Sequence, residues 1–229
     1  MPPESAIITV MKQAARKASI RLKRDYGEIS QLQVSMKGPG DFVTASDIRT
    51  EKILKEELSR SRPSFGFLME ESGASNGSDP NRRWIVDPID GTTNLVHGIA
   101  YFAICIALEE FNQITAGVIL DPINEQLFWA EKGQGSFLNN HRIRVSARTK
   151  VSESLFATGI PFKGRGTKND HETFLREIEA VMTASSGIRR FGSAALDLAN
   201  VAAGKFDGFW ESSLKPWDMA AGILIVREA

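Results

Sequence analysis

"WIVDPIDGTTN", residues 84–94, sets a short apolar run directly before two aspartates, Asp87 and Asp90. Residues 84–86 predict a buried strand, and the Gly-Thr-Thr at 91–93 predicts the start of a helix. A buried strand that ends in two carboxylates is costly, because each negative charge loses water and repels the other. This stretch therefore predicts a strand-to-helix junction whose charges need a partner.

A turn is the simplest interpretation of this sequence, because proline, aspartate and glycine are common turn residues. Asp90 could also cap the following helix. The chain contains its own comparison in "ILDPINE" at 119–125, which repeats the apolar run and Asp-Pro-Ile but has Asn124 and no Gly-Thr behind it. We interpret that second copy as a hairpin turn, which is the favoured interpretation of any isolated Asp-Pro-Ile.

The first copy differs by the Gly-Thr-Thr behind it. Asp87 and Asp90 are three positions apart across a rigid proline, so both carboxylates can converge on one side of the strand end. Two such carboxylates repel each other, and a hard cation such as Mg²⁺ is the usual remedy. The N–H groups of residues 91–93, at a helix start, offer a site for an anion. A metal beside an anion site is the arrangement that hydrolysis of a phosphate ester requires.

The spacing of the aspartates excludes one rival phosphatase motif. Phosphatases that form an aspartyl-phosphate carry Asp-x-Asp-Gly-Thr, in which the aspartates are two positions apart. Asp87 and Asp90 are three positions apart, so their side chains cannot take the nucleophile and acid roles of that motif.

The composition is that of an ordinary globular protein. Of 229 residues, 42% are apolar and 24% are charged, and 28 Lys and Arg balance 28 Asp and Glu to a formal net charge of zero. This balance excludes the broad basic field of a nonspecific nucleic-acid binder, although a local basic patch stays open. The length allows one domain or two small ones.

Cysteine content and the N-terminal sequence favour the cytoplasm. Cys105 is the single cysteine, so no internal disulfide can form, which fits a reducing compartment. It lies in the apolar run "YFAICIAL" and is predicted to be a buried hydrophobe rather than a nucleophile. Residues 1–13 lack the pattern of a signal peptide, and the longest apolar run, 99–108, is too short to span a bilayer. We expect a cytoplasmic protein with no membrane contact.

Hydrophobic periodicity predicts an α+β fold. The predicted helices are residues 7–22, 44–58, 174–182, 191–204 and 218–229. The predicted strands are residues 65–69, 84–86, a meander from 102 to 145, 155–160 and 206–211. We expect an N-terminal α+β half, residues 1–145, and a C-terminal α/β half, residues 146–229. The glycine-rich stretches at 36–41 and 72–81 are predicted to be loops.

Three motifs in combination resemble those of a known family. "WIVDPIDGTTNLVHG" at 84–98, "PWDMAAG" at 216–222 and "EES" at 70–72 are similar to the motifs of the Mg²⁺-dependent, lithium-sensitive inositol monophosphatase family. The resemblance covers essentially the whole chain and is stronger to the bacterial branch. It implies the layered α/β sugar-phosphatase fold shared with fructose bisphosphatase, a homodimer, and hydrolysis of a small phosphomonoester, with myo-inositol monophosphate as the expected substrate. Family members continue past Ala229, so we expect the C-terminal half to be cut short.

The resemblance also implies a set of ligands for two or three Mg²⁺ ions. They are Glu70, Asp87, the backbone carbonyl of Ile89, Asp90 and Asp218, most of which lie in the N-terminal half. Asp87 would bridge two ions, and Glu70 would help to activate the attacking water. Without the resemblance, Glu70 is interpreted as a solvated loop charge and Asp218 as the N-cap of the last helix.

The catalytic and substrate-binding residues implied by the resemblance form a second set. Glu70, Thr92 and Asp47 would be catalytic, with the Thr92 hydroxyl orienting the water and Asp47 accepting a hydrogen bond from Thr92. Asp47 also fits a Thr-x-x-Asp capping box with Thr44. Phosphate would be held by Gly91 and Thr92. The full set of substrate contacts would be Asp90, Gly91, Thr92, Gly192, Ser193, Ala194, Glu211 and Asp218, and Lys37 matches a lysine that the family keeps near the active site.

Two alternatives to this activity stay open. Relatives of the same fold cleave fructose bisphosphate, nucleoside bisphosphates or histidinol phosphate, and the metal motif does not separate these substrates. Alternatively, the protein acts mainly as a partner in an RNA or transcription complex, as some bacterial relatives do. The zero net charge gives no support to that role, and intact metal ligands do not exclude it.

Overall fold

A computed structural model of the chain describes residues 4–28, 34–38, 41–161 and 167–229. The helices are α1 (Ala6–Gly27), α2 (Ala45–Ser61), α3 (Thr92–Val96), α4 (Lys168–Ala184), α5 (Ala194–Ala202) and α6 (Pro216–Glu228). The strands are β1 (Val34–Gly38), β2 (Asp41–Thr44), β3 (Phe65–Met69), β4 (Gly73–Ser75), β5 (Asp79–Asp90), β6 (Ala103–Glu110), β7 (Gln113–Asp121), β8 (Gln126–Glu131), β9 (Gly135–Leu138), β10 (His141–Ile143), β11 (Leu155–Thr158), β12 (Gly187–Arg189) and β13 (Gly208–Trp210).

An eight-stranded sheet forms the centre of the molecule. Its strand order is β10-β9-β8-β7-β6-β5-β3-β4. All neighbours pair antiparallel except β3 and β5, which are parallel. The strands from β5 to β10 follow one another in space as in sequence. Short turns connect the antiparallel neighbours from β6 to β10, whereas the connection from β5 to β6 contains α3. The predicted meander from 102 to 145 is therefore confirmed.

Helices cover both faces of this sheet. Successive side chains of β5 point to opposite faces, so Trp84 and Val86 pack with α1 and α2, whereas Ile85 packs with α5 and α6. The next strand alternates in the same way, with Ile104 facing α1 and Cys105 facing α5 and α6. Burial on both faces explains why this part of the sequence is a continuous apolar run rather than an alternating one. None of the described helices combines the length and the apolarity that crossing a bilayer requires.

A second, smaller sheet lies behind α5. Its strands β12, β11 and β13 are parallel, in that order. Ala157 of β11 packs against Val201 of α5 and Phe206, and α4 packs beside β12. Helices and sheets thus alternate in layers, which confirms the predicted α+β fold class. The division into halves at residues 145/146 stays a prediction: the two sheets lie on either side of it, while α5 and α6 pack across it on the large sheet.

The structure corrects two predicted loops. Residues 72–81 contain β4 and the start of β5, and residues 36–41 contain the end of β1 and the start of β2. Glycine, serine and asparagine are common in loops, so their presence predicts one. Strand pairing, however, uses the backbone N–H and C=O groups, which every residue except proline supplies in full. Residues 39–40 lie outside the described residues.

The close approach of β7 and α6 generates a stability prediction. A Cβ atom at Gly117 would lie 3.0 Å from the carbonyl oxygen and 3.1 Å from the Cα of Ala221, both backbone atoms of α6. We expect Gly117→Ala to lower the free energy of unfolding by about 1–3 kcal/mol, because the helix must move away from the sheet. Gly27→Ala is the control, since a Cβ there meets no atom within 4 Å. Urea unfolding measures both variants, and equal stabilities would contradict this packing of β7 on α6.

Candidate active site

A bulge at the end of β5 brings the two aspartates to one face of the sheet. Residues three apart on a regular strand point to opposite faces. Here Asp87 lies opposite Cys105 and Asp90 lies opposite Ala103, so β5 has one more residue than β6 between these pairs. Cys105 and Ala103 both face α5 and α6. Because directly opposed residues share a face, both carboxylates point towards the same pair of helices.

Two more carboxylates approach this strand end from other elements. Glu70 follows β3, where its N–H donates to the carbonyl of Val86 at 3.2 Å and continues the pairing with β5. Its side chain hydrogen-bonds with Asp87. Asp218 is the third residue of α6, where its Oδ2 accepts from the N–H of Lys215 at 2.6 Å. The prediction of Asp218 as the N-cap is thus wrong by three residues, because the N-cap is Lys215. The helix begins at Pro216, whose fixed φ suits the first turn of a helix.

Burial and mutual repulsion raise the pKa values of the central carboxyls. The pKa of Asp87 lies well above its usual range, first because burial removes water and then because of the charges of Glu70, Asp90 and Asp218. Burial also raises the pKa of Asp90 to about 8, with the charges of Asp218 and Glu211 acting in the same direction. The predicted ligands Glu70, Asp90 and Asp218 thus lie close enough to Asp87 for their charges to act on it.

Asp90 also joins the large sheet to the start of α5. The hydroxyl of Ser193 donates to Asp90 Oδ2, and the N–H of Ala195 donates to the same oxygen at 2.7 Å. These donors partly offset the rise in the pKa of Asp90. Gly91 (φ 100°) and Gly192 (φ 93°) let the two backbones approach, since a Cβ on Gly91 would lie 3.2 Å from the carbonyl oxygen of Gly192.

Asp47 makes both of the expected contacts, one within the capping box of α2 and one with Thr92. Its Oδ2 accepts from the N–H of Thr44 at 2.7 Å and from the Thr44 hydroxyl at 2.6 Å, which completes the capping box of α2. Its Oδ1 lies 2.9 Å from the hydroxyl of Thr92, which is also 3.0 Å from the carbonyl oxygen of Ile89. The single hydroxyl proton can therefore be donated to either acceptor. Burial raises the pKa of Asp47 despite these donors.

The residues predicted to contact the alcohol half of the substrate lie near Asp90 and the start of α5. Ser193 caps α5, Ala194 begins the helix, and Gly192 precedes them. Glu211 follows β13 and lies against Gly159, where a Cβ would overlap its carboxyl group. Its charge raises the pKa of Asp90, which places it near that carboxylate. The side chain of Lys37 lies outside the described residues.

A buried polar cluster that links α3 and the loop after it to α5 was not predicted from the sequence. The Asn94 side chain donates to the carbonyl oxygens of Tyr101 at 2.7 Å and Phe191 at 2.8 Å. The Tyr101 hydroxyl donates to Asp197 at 2.7 Å, and burial raises the pKa of Asp197 to about 7. A signal was present in "ALDLAN", where Asp197 interrupts an apolar helix. Its partner comes from another element, so the sequence alone could not identify it.

The donor chemistry fits a hard divalent cation. The four carboxylates supply only oxygen atoms, the ligand type that Mg²⁺ and Ca²⁺ prefer. The neighbouring charges that act most strongly on the pKa values of Asp87 and Asp90 are those of other carboxylates. Among the residues that the structure describes, no three His, Cys, Asp or Glu side chains already form a closed metal-binding group. The site therefore offers the charge and the atoms for a cation, while the ligand geometry is not preformed.

Comparisons with known proteins agree on one family. The model of the inositol monophosphatase family matches residues 4–229. The chain is 54% identical to an inositol-1-monophosphatase of Mesorhizobium japonicum, covering 98% of this chain and 84% of that protein. It is 40% identical to the Nus factor SuhB of Salmonella typhimurium, covering 97% and 82%. The crystal structure of the extragenic suppressor protein suhB from Bartonella henselae matches with a TM-score of 0.94 and 57% identity, covering 98% and 85%.

The raised pKa of Asp90 predicts how stability without divalent cations depends on pH. Its ordinary pKa of 3.8 rises to about 8 in the fold, so the folded state binds more protons than the unfolded state between these values. This group's contribution to the free energy of unfolding therefore falls as the pH rises through that window. Asp90→Asn removes the titration, so we expect its Tm minus the wild-type Tm to increase from about pH 5 to about pH 8 in EDTA.

Asp170→Asn is the control for this experiment. Asp170 caps α4 on the surface, and its backbone hydrogen bond from Thr167 lowers its pKa. Its carboxylate is thus ionised in both states above about pH 5, and its Tm difference should stay constant across the window. A constant or decreasing difference for Asp90→Asn would contradict a raised pKa of Asp90 in the folded state.

Proposed function

The chain belongs to the inositol monophosphatase family and is a phosphatase, and we propose that it hydrolyses myo-inositol monophosphate with Mg²⁺ as its cofactor. The observation that carries this proposal is the placement of Asp87 and Asp90 on one face of β5, beside Glu70 and Asp218. The names of relatives at more than 50% identity support the substrate.

The carboxylates divide into two groups of ligands. Glu70, Asp87 and the carbonyl of Ile89 would hold one ion, and Asp90 and Asp218 would hold a second, with Asp87 between them. Bound Mg²⁺ neutralises phosphate oxygens and lowers the pKa of a coordinated water. Asp87 and Asp90 favour this binding, because their repulsion in the buried site is relieved when positive charge approaches. Two or three ions per site remain our proposal.

Thr92 and Asp47 would position the attacking water. The Thr92 hydroxyl oxygen can accept from a water while its own proton is donated to Asp47 Oδ1 at 2.9 Å. Asp47 keeps this orientation because its other oxygen is fixed by Thr44. The N–H groups of Gly91 and Thr92, at the start of α3, would bind the phosphate. Direct attack by water then requires no covalent intermediate with the protein.

The alcohol half of the substrate would lie between α5 and β13. The carboxylate of Glu211 can accept from two neighbouring hydroxyl groups of a cyclitol, and the segment 192–194 supplies backbone donors at a helix start. Asp90 and Asp218 would contact the same substrate. Related sugar or nucleoside bisphosphates of the same reaction class are the alternative substrates. A homodimer and a cytoplasmic location stay predictions.

A second candidate function has its own observation in its favour. Relatives at 39–40% identity over nearly the whole chain carry the name Nus factor SuhB, so a role as a partner in a transcription complex is our alternative proposal. The two roles are separable by a variant that folds but does not hydrolyse phosphate. Restoration of growth by such a variant in a deletion strain would favour the partner role, and failure of restoration would favour catalysis.

We expect phosphate release to require Mg²⁺ and to be greatest with inositol monophosphate. Removal of metal by EDTA should abolish activity, and addition of Mg²⁺ should restore it. We expect Mg²⁺ rather than zinc because all of the proposed ligands are oxygen atoms. Lithium at millimolar concentration should inhibit, with NaCl at equal ionic strength as the control. Phosphate release from a panel of inositol, sugar and nucleotide phosphates measures the Mg²⁺ requirement and the substrate preference. Full turnover after metal removal would contradict the metal site, and preference for another ester would correct the substrate alone.

Asp218→Asn separates the two tasks of that side chain. Asparagine can still accept from the N–H of Lys215, so the capping of α6 and the Tm should change little. The loss of a negative charge from a cation site should lower kcat by about two to three orders of magnitude at low Mg²⁺. Asp170→Asn, which changes a surface cap of α4 in the same way, should keep full activity. Near-normal phosphate release by Asp218→Asn would show that the residue only caps the helix.

A further inference from the structure

A buried carboxylate on α2 holds the chain segment that follows Glu70. Glu51 is only 5% exposed, and its two oxygens accept from backbone N–H groups of consecutive residues. Oε2 accepts from Glu71 at 2.8 Å, and Oε1 accepts from Ser72 at 3.0 Å. Neither the sequence motifs nor the proposed mechanism give Glu51 a task. A buried carboxylate is costly to keep in a fold, so its two partners indicate what it stabilises.

The partners of Glu51 lie directly after a proposed metal ligand. The backbone of Glu70 is fixed on one side by its N–H, which donates to Val86 at 3.2 Å. On the other side, Glu71 and Ser72 form the turn between β3 and β4, and Ser72 is exposed to solvent. Hydrogen bonds to a charged acceptor are stronger than neutral ones, so Glu51 anchors this turn in addition to the pairing of β3 with β4.

Glu51 and Asp47 share one face of α2. They are four residues apart, and residues with that spacing are neighbours on a helix surface. Asp47 fixes the Thr92 hydroxyl at 2.9 Å, while Glu51 fixes the turn after Glu70. One helix thus contacts both of the chain segments that follow the ends of the neighbouring parallel strands β3 and β5.

We propose that Glu51 is a positioning residue for Glu70, which it orients towards the cation through the N–H groups of Glu71 and Ser72. This inference rests on the proposed function, because it takes Glu70 as a metal ligand. Glutamine at position 51 can accept only one of the two N–H groups, and its own amide hydrogens face the other. The turn then loses its anchor, and Glu70 presents its carboxylate in several orientations.

Binding of Mn²⁺, measured from the free-ion electron paramagnetic resonance signal, tests this without any turnover. We expect Glu51→Gln to weaken binding about tenfold or more, which is the usual effect of removing a group that orients a ligand. Glu56→Gln is the matched control, because it makes the same change at an exposed position of α2 and should bind as the wild type does. Glu51→Asp keeps the charge but shortens the reach, so it should also bind weakly and replaces Glu51→Gln if that variant does not fold.

A double-mutant cycle with Glu70→Gln separates positioning from general loss of structure. If Glu51 acts through Glu70, adding Glu51→Gln to Glu70→Gln should weaken Mn²⁺ binding no further. Additive losses, or equal affinities of the wild type and Glu51→Gln, would overturn the inference alone. Absence of Mn²⁺ binding to the wild type would instead overturn the proposed metal site, which keeps the two failures distinct.

Discussion

The repulsion between Asp87 and Asp90 is the constraint around which this protein is built. The extra residue in β5 turns both side chains to the face that α5 and α6 cover, and burial there raises the pKa values of both carboxyls. A buried pair of like charges is tolerated only if donors or cations compensate it. At the start of α5, the Ser193 hydroxyl and the Ala195 N–H supply part of that compensation by donating to Asp90. We propose that a bound cation supplies the rest.

The same constraint explains how the two parts of the chain are joined. Asp90 accepts hydrogen bonds from α5, and Asn94, four residues later, donates to Phe191 just before that helix. Gly91 and Gly192 remove the side chains that would keep the backbones apart. The geometry of the candidate site and its connection to α5 therefore depend on one short segment.

The sequence predicted those features that depend on neighbours in the chain. The Asp-x-x-Asp spacing predicted two carboxylates on one side of the strand end, and the Thr-x-x-Asp pattern predicted the capping box at Asp47, both of which are short-range signals. The loop predicted at 72–81 was wrong because β4 forms by pairing with β3, which no local composition reveals. Glu51 was missed for a similar reason, since its partners are about twenty residues away. Contacts of that kind depend on the fold, and a single sequence does not record them.

Binding of divalent cations by this cluster of carboxylates is the proposal on which the assigned activity depends. Anomalous diffraction from crystals soaked in Mn²⁺ tests it without reference to activity, because the signal locates the ion among the side chains. We expect a strong peak in contact with Asp87 and at least one of Glu70, Asp90 and Asp218. Peaks confined to other parts of the surface, or none at concentrations that saturate the enzyme, would contradict the metal site.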